Sequence, residues 1–291
     1  MKIDSIIKIN HDLEGFIMPI FEHNNDANLF QLRYFRLRSR AKINQQLSYF
    51  IQFELGGIPT LKDASIDFKF SDAFIIRAGQ FQYHFGVFEK PWNFPTIYVP
   101  QIKSNMLGDP RDLGIQLNGS LNKLDYYACI MNGTARGVRD DDKKKTFVFS
   151  LDYHITNNLK VGVSQYLGTR NFTEESNVIN SAKRNRSGAY FWYDDKKLMI
   201  RGDFMKGTDH TYNQSGYYFI GGYHITNKIQ PVFRYDYFKS EINDFSNLIL
   251  APGLNIFLSE KFYLRSIVEF NRINNNFEYG KFALELGVMF L

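Results

Sequence analysis

The sequence lacks any long apolar run. Its 291 residues are 44% hydrophobic, with a mean hydropathy of -0.32. No stretch approaches the roughly 18 consecutive apolar residues that a membrane-spanning helix needs, which excludes a bundle of membrane helices. A barrel strand needs only about 9–11 residues, apolar at every second position, so a membrane-spanning barrel is compatible with this low hydropathy.

Cysteine and catalytic motifs are also scarce. Cys129 is the only cysteine, which excludes an intramolecular disulfide and a cysteine-cluster metal site. The 6 histidines show no HExxH pairing, and the chain contains no GxSxG elbow, phosphate-binding loop or dinucleotide fingerprint. We therefore expect no metal, no cofactor and no catalytic residue. The start, MKIDSIIKIN, lacks the apolar region of a signal peptide, so we expect a mature chain whose leader has been removed.

Aromatic residues, in contrast, are abundant. They make up 16% of the chain, with 28 Phe and 18 Tyr against 2 Trp. An aromatic-rich soluble β-sandwich is one explanation, and an outer-membrane barrel with lipid-facing aromatic girdles is the other. The net charge is +5, but the basic residues are scattered among the predicted strands, so we do not expect a nucleic acid as partner.

Alternation of apolar and polar residues is the main positive signal. In Lys281–Leu291, Phe282, Leu284 and Leu286 share one face of a strand. About sixteen such segments follow one another, the first near 15–22 and the tenth near 187–194. Short turns rich in Asn, Asp and Ser alternate with longer connections, as in barrels with short periplasmic turns and longer external loops.

We therefore predict an all-β fold, a transmembrane antiparallel β-barrel of about 16 strands in the bacterial outer membrane. Residues 1–291 form one domain in this interpretation. The N-terminal ~14 residues are expected to be a periplasmic extension before the first strand. Outer-membrane lipids are then the expected surroundings of the apolar face.

Because alternate residues of a strand point to the same face, their positions predict which side chains face the lumen. The predicted lumen-facing arginines are Arg36, Arg38, Arg40, Arg77, Arg201, Arg234 and Arg265. Acidic residues such as Glu54 and Asp67 share the lumen parity. Two interpretations stay open: a basic wall that attracts anions, or cross-strand ion pairs that brace the barrel.

The longest connection, residues 82–112, is predicted to be a constriction loop. It contains four prolines, which restrict the backbone, and long loops of compact folds are usually functional. Lys90, Lys103 and Arg111 are the candidate charges at the narrowest point of the pore. An external lid is the alternative arrangement.

Several stretches, in order, resemble the phosphate-selective porin O/P family. They are LRYFRLRSRAKI (Leu32–Ile43), FIIRAGQFQYHFG (Phe74–Gly86), DPRDLGIQLNG (Asp109–Gly119), QPVFRYDYF (Gln230–Phe238) and GLNIFL (Gly253–Leu258). The resemblance implies a sixteen-stranded porin with its third loop folded into the pore, often as a trimer. The phosphate-binding lysines of the family do not lie in these stretches, so none is carried over.

The expected function is therefore a porin for passive diffusion of small polar or anionic solutes, including phosphate-like ones, and not an enzyme. The expected partners are these solutes, outer-membrane lipids, and either copies of the chain in a homotrimer or other outer-membrane proteins. A structural or assembly barrel with an occluded lumen is the alternative, and a barrel lipid hydrolase is a third interpretation.

Overall fold

The computed structural model describes residues 11–87, 94–140, 143–174 and 177–290. The strands are β1 (His11–Asn24), β2 (Asn28–Lys42), β3 (Leu47–Glu54), β4 (Thr60–Ser71), β5 (Phe74–Gln82), β6 (Arg111–Leu121), β7 (Leu124–Met131), β8 (Thr146–His154), β9 (Leu159–Glu174), β10 (Asn177–Asp194), β11 (Leu198–Asp209), β12 (Tyr212–Tyr223), β13 (Ile229–Ser240), β14 (Phe245–Ser259), β15 (Phe262–Ile273) and β16 (Asn276–Phe290). A π-helix, Ile102–Leu107, and a 3-10 helix, Ile242–Asp244, lie between strands. No helix in these ranges is long and apolar enough to cross a membrane.

The strands form one closed antiparallel barrel. Each strand pairs with its neighbours in sequence, and β1 pairs with β16 to close the sheet. The predicted fold is thereby confirmed, and all of the predicted strands are present. β1 begins at His11, so the described part of the predicted N-terminal extension, residues 11–14, belongs to this strand; residues 1–10 lie outside the described ranges.

The two faces of the wall differ in polarity. Along β8, Val148, Ser150 and Asp152 are buried, whereas Phe149 and Leu151 point outward and are each 45% exposed. A soluble sandwich would bury the apolar row and expose the polar one. Here the apolar row faces outward and the polar row inward, which is the arrangement of a barrel surrounded by lipid.

Tight turns connect the strands at the end of the barrel opposite the long connection. Local side-chain hydrogen bonds stabilise them: Asn44 Oδ1 accepts from the backbone N–H groups of Gln46 and Leu47, at 2.9 and 2.7 Å. Asp195 Oδ1 accepts in the same way from the backbone N–H groups of Lys197 and Leu198. These are the Asx turns that short Asn- and Asp-rich connections predict.

At the other end, the connections range from the two residues 210–211 to the segment 83–110. The longer connection predicted between β11 and β12 is absent, because these strands continue into a tight hairpin. β9 and β10 also extend farther than predicted, since β10 begins at Asn177 and not near 187.

Candidate functional site: the barrel lumen

Residues 83–110 are here called the lumen segment, and their described parts, 83–87 and 94–110, lie inside the barrel. Near its start, the backbone N–H of Gly86 donates to Ser164 Oγ and that of Val87 donates to Asp203 Oδ2, both at 3.0 Å. His84 stacks on Tyr127, with ring centroids 4.2 Å apart. These contacts attach the first described part of the segment to the inner wall.

The second described part, 94–110, is attached to the wall of β10, β13 and β14. The backbone N–H of Gln101 donates to Asp236 Oδ2 at 2.9 Å, and Asn255 Nδ2 donates to the carbonyl of Pro95 at 2.9 Å. Arg186 Nε donates to the carbonyl of Met106 at 3.2 Å. Carboxylates and guanidinium groups of the wall thus satisfy backbone groups of the segment that would otherwise be unpaired.

Apolar side chains fill the space between the lumen segment and this wall. Phe85, Phe94, Ile102 and Met106 of the segment are all buried. They belong to one cluster with the wall residues Val148, Met205, Tyr218, Ile220 and Phe238. The lumen is consequently packed on the side of β8–β13. Ile97 of the segment extends this packing to β1 and β14–β16 through a second buried cluster, whereas β2–β6 lie on the other side.

A cavity of about 340 Å³ lies on that other side, between the lumen segment and strands β2, β4 and β6. Its charged lining residues are Arg33, Arg36, Lys62, Lys103, Asp109 and Arg111. Asp109 is the acid among them, and it accepts from Lys62 Nζ at 2.7 Å and from Arg111 Nη1 at 2.9 Å. Burial alone raises the pKa of Asp109, but Arg111 and Lys62 lower it well below its ordinary value.

The predicted arginines of β2 and β5 lie in the same half of the barrel as this cavity. Arg36 Nε is 2.5 Å from Glu54 Oε2, Arg38 forms a salt bridge with Glu14, and Arg40 is 3.9 Å from Glu14.

Arg77 donates two hydrogen bonds to Asp67, at 2.7 and 2.8 Å. The side chains of Arg40 and Arg77 are 41% and 31% exposed, so both remain accessible to a solute despite their pairs.

The predicted arginines of the later strands, on β11, β13 and β15, are almost fully buried. Arg234 forms a salt bridge with Glu269, and Arg265 Nη1 is 3.7 Å from Glu285 Oε1. Arg201 lies over the ring of Trp192, 4.3 Å from its centroid. These contacts are those that bracing of the wall requires.

Two of the three charges predicted for the constriction loop are described, and Lys90 lies outside the described residues. Lys103 Nζ is 3.4 Å from Asp203 Oδ2 and donates to the carbonyl of Val87. Arg111 Nε is 3.1 Å from Asp63 Oδ1. Both side chains line the cavity. That these charges set selectivity stays a prediction.

Sequence parity missed three inward-facing arginines. Arg33 is the extra residue of a bulge, since Met18 pairs with Tyr34 but Pro19 pairs with Leu32; its Nη1 reaches Glu285 Oε2 at 2.8 Å. The proline in β1 signals such a bulge, because proline cannot donate to the strand ladder. Arg184 and Arg186 were missed because the predicted β10 began after them.

A closed barrel with an apolar exterior, a charged lumen and an inserted segment defines an outer-membrane porin. The sequence comparison then identifies the family. Residues 8–187 match the model of the family "Phosphate-selective porin O and P", and the chain belongs to this family. No curated protein matches the sequence.

Solved structures share the fold at low sequence identity. The anion-selective porin from Comamonas acidovorans has a TM-score of 0.74 and 10% identity, covering 97% of this chain and 99% of that one. OmpF of Salmonella typhi, in complex with daunomycin, has a TM-score of 0.76 and 12% identity over 96% and 97% of the two chains. The trimer form of Vibrio cholerae OmpT has a TM-score of 0.72 and 10% identity over 97% and 99%.

Proposed function

We propose that this porin passes small anionic solutes, phosphate among them, along the wall formed by β2–β6. One observation carries the proposal: the cavity beside the lumen segment is lined by five cationic side chains and one acid. Charged side chains around a narrow pore set ionic selectivity, and low-dielectric walls strengthen their field.

The positions of the acidic residues that pair with these cations support selectivity for anionic solutes. Arg33, Arg36 and Arg111 pair with Glu285, Glu54 and Asp63, respectively. None of these three acids lines the cavity, although their cationic partners do. A solute therefore meets the cations first, and the acids behind them reduce the positive potential without reversing it.

Arg38, Arg40 and Arg77 extend the basic surface toward the periplasmic end of the same half. The two interpretations of the lumen arginines then apply to different halves of the barrel. Arg201, Arg234 and Arg265, on β11, β13 and β15, brace the wall, and the arginines of β2 and β5 contribute to selectivity.

A barrel with an occluded lumen, serving a structural role, is the second candidate. The packing of the lumen segment against β8–β13 favours it, since this core removes much of the cross-section. We propose that the cavity on the opposite side keeps the pore open.

Swelling of liposomes that contain the refolded protein separates these candidates. We expect swelling in small solutes, faster with an anionic solute such as phosphate than with a cationic solute of similar size. Liposomes that do not swell in any solute would support the occluded barrel. Faster swelling in the cationic solute would contradict an anion path.

We also propose that the chain is not an enzyme and that it assembles as a homotrimer. Ser150 illustrates the first point: its hydroxyl donates to the backbone carbonyl of His84, and its Oγ lies 2.9 Å from Ser164 Oγ. Ser150 and His84 therefore lack the hydroxyl–imidazole hydrogen bond of a hydrolase. A lipid-hydrolysis assay should show no activity above that of empty micelles.

The trimer form of OmpT, which shares the fold, supports assembly as a homotrimer, and chemical cross-linking should give a three-chain product.

A further inference from the structure

Five polar residues form a continuous row across the outward face of β9–β13. Gln165, Ser187, Lys206, Ser215 and Lys239 are direct cross-strand partners of one another in that order. Their neighbours Met205 and Phe238 point into the lumen and are buried, so the row itself faces away from the barrel. It lies near the barrel end that carries the lumen segment, which is the external end.

The row directly below it is apolar and aromatic. Val163, Ala189, Phe204, Tyr217 and Tyr237 are paired across the same five strands. The two rows are two residues apart along each strand, which is about 7 Å. Over this distance the outward surface changes from hydrocarbon-facing to polar, which places the polar row at the level of lipid headgroups in the outer leaflet.

A groove of about 640 Å³ opens along the polar row. Short side chains, Ser187 and Ser215, form part of its lining, and Lys183, Lys206 and Lys239 stand exposed around it. Within the described ranges, none of these three lysines forms a salt bridge with an acid.

One acid, Glu241, also lines the groove, but its carboxylate already accepts hydrogen bonds from Asn213. The backbone N–H of Asn213 donates to it at 2.8 Å, and Asn213 Nδ2 donates at 3.0 Å. The external ends of β2 and β8 differ from this patch, since they carry the exposed Phe30 and Phe147. The groove is therefore a local, positively charged feature of the membrane-facing surface.

We propose that this groove binds the phosphate-bearing headgroup of an anionic lipid of the outer leaflet. The acyl chains would lie along the apolar row below, and the phosphates would contact the lysines and the serine hydroxyls. Lys206 and Lys239 are two strands apart, about 10 Å, so together they can contact separate phosphates or both sides of one large headgroup. Basic clusters at the membrane surface recognise anionic lipids by this chemistry.

The test measures binding of purified bis-phosphorylated lipid A to the refolded protein in neutral detergent. The variant Lys206→Gln with Lys239→Gln removes two charges from the groove. The matched control, Lys228→Gln with Lys261→Gln, removes two exposed lysines from turns at the opposite end. We expect wild type and control to bind with equal affinity, and the groove variant to bind about 30-fold more weakly.

Two further probes identify which part of the lipid is recognised. Lipid A stripped of its phosphates should bind wild type as weakly as the groove variant binds intact lipid A. Inorganic phosphate should compete only at far higher concentration, since it lacks the acyl chains.

Equal binding by wild type and groove variant, or equal loss in the control, would overturn the proposal. Undiminished binding of the phosphate-free lipid would show a purely apolar contact, and competition by dilute phosphate would show a site for soluble anions. If the single-channel conductance of the groove variant is unchanged, the variant is folded. The proposed lipid site does not depend on the selectivity of the pore.

Discussion

At the scale of single residues, Asp109 is the acid that lines the cavity of the proposed solute path. Lys62, Arg111 and Arg136 all donate to its carboxylate, at 2.7 to 2.9 Å. We expect Asp109→Asn to lower the free energy of unfolding by about 2 kcal/mol, the magnitude of hydrogen bonds to a charged group. Urea unfolding in detergent micelles measures this difference.

The effect of Asp109→Asn should be the same at pH 7 and pH 5. Although burial raises the pKa of Asp109, the neighbouring cations hold it well below its ordinary value. Stability from a carboxylate with a lowered pKa is present above the unfolded-state pKa of about 3.9 and is lost only as the pH falls through the folded-state pKa. A difference that shrinks between pH 7 and pH 5 would contradict this pairing. Asp72→Asn, at an exposed turn, serves as control and should change little.

A second prediction at this scale concerns residues on the outward face of the barrel. Phe219 lies on the membrane-facing side of β12, below the row of Tyr217, whereas Thr208 lies above the polar boundary. We expect Phe219→Arg to cost about 2–4 kcal/mol and Thr208→Arg about 0–1 kcal/mol, because the cost of a charge rises toward the bilayer centre. Unfolding measured in lipid vesicles checks both. Equal costs would mean that the polar row does not mark the membrane surface.

Parity in the sequence predicted the orientation of the lumen arginines but not their roles. Arg36 and Arg234 have the same residue type and the same parity. One lines the cavity and the other lies behind the lumen segment, and this difference depends on the path of a long connection through three dimensions. The inward orientation of Arg33 was not predicted for a local reason. The bulge opposite Pro19 inserts one residue into β2, which reverses the alternation of inward and outward side chains on the two sides of Arg33.

At the scale of elements, the lumen segment is attached by two wall carboxylates. Asp203 accepts from the backbone N–H of Val87, and Asp236 accepts from that of Gln101. We expect Asp203→Asn with Asp236→Asn to loosen the segment, because a hydrogen bond to a charged acceptor contributes roughly 1.5–3 kcal/mol and one to a neutral amide oxygen only about 0.5–1.5 kcal/mol. Single-channel recordings should then show a larger and noisier conductance than wild type.

The matched control for the lumen segment removes acids that do not contact it. Asp72→Asn with Asp195→Asn changes two turns at the opposite end of the barrel, and the conductance should stay as in wild type. If the pair at Asp203 and Asp236 gives wild-type recordings as well, the segment does not depend on these carboxylates for its position.

The strands were predicted from the alternation of apolar and polar residues, because a wall with lipid on one side and water on the other imposes a period of two residues. The rule fails where both faces of the wall are polar. β10 begins ten residues earlier than predicted because Arg184, Asn185 and Arg186 lie beyond the apolar band, so polar residues occupy both faces there.

At the scale of the whole molecule, the barrel divides into a packed half and an open half. Apolar residues of the lumen segment fill the space along β8–β16, and the cavity with its excess of cations lies along β2–β6. In the proposed function, the summed field of the cations draws anions to the open half, and salt weakens this field as the Debye length falls to about 8 Å at physiological ionic strength. We propose that this half, and not the barrel in general, sets selectivity.

The reversal potential across a planar bilayer under a salt gradient tests this claim most directly. One variant, Lys62→Gln with Lys103→Gln, removes two cations that line the cavity. The matched control, Lys160→Gln with Lys281→Gln, removes two inward-facing lysines, each paired with an acid, that do not line it. We expect an anion-selective wild type, a control with the same reversal potential, and a cavity variant shifted toward cations. A cation-selective wild type, or equal shifts in the two variants, would contradict this claim.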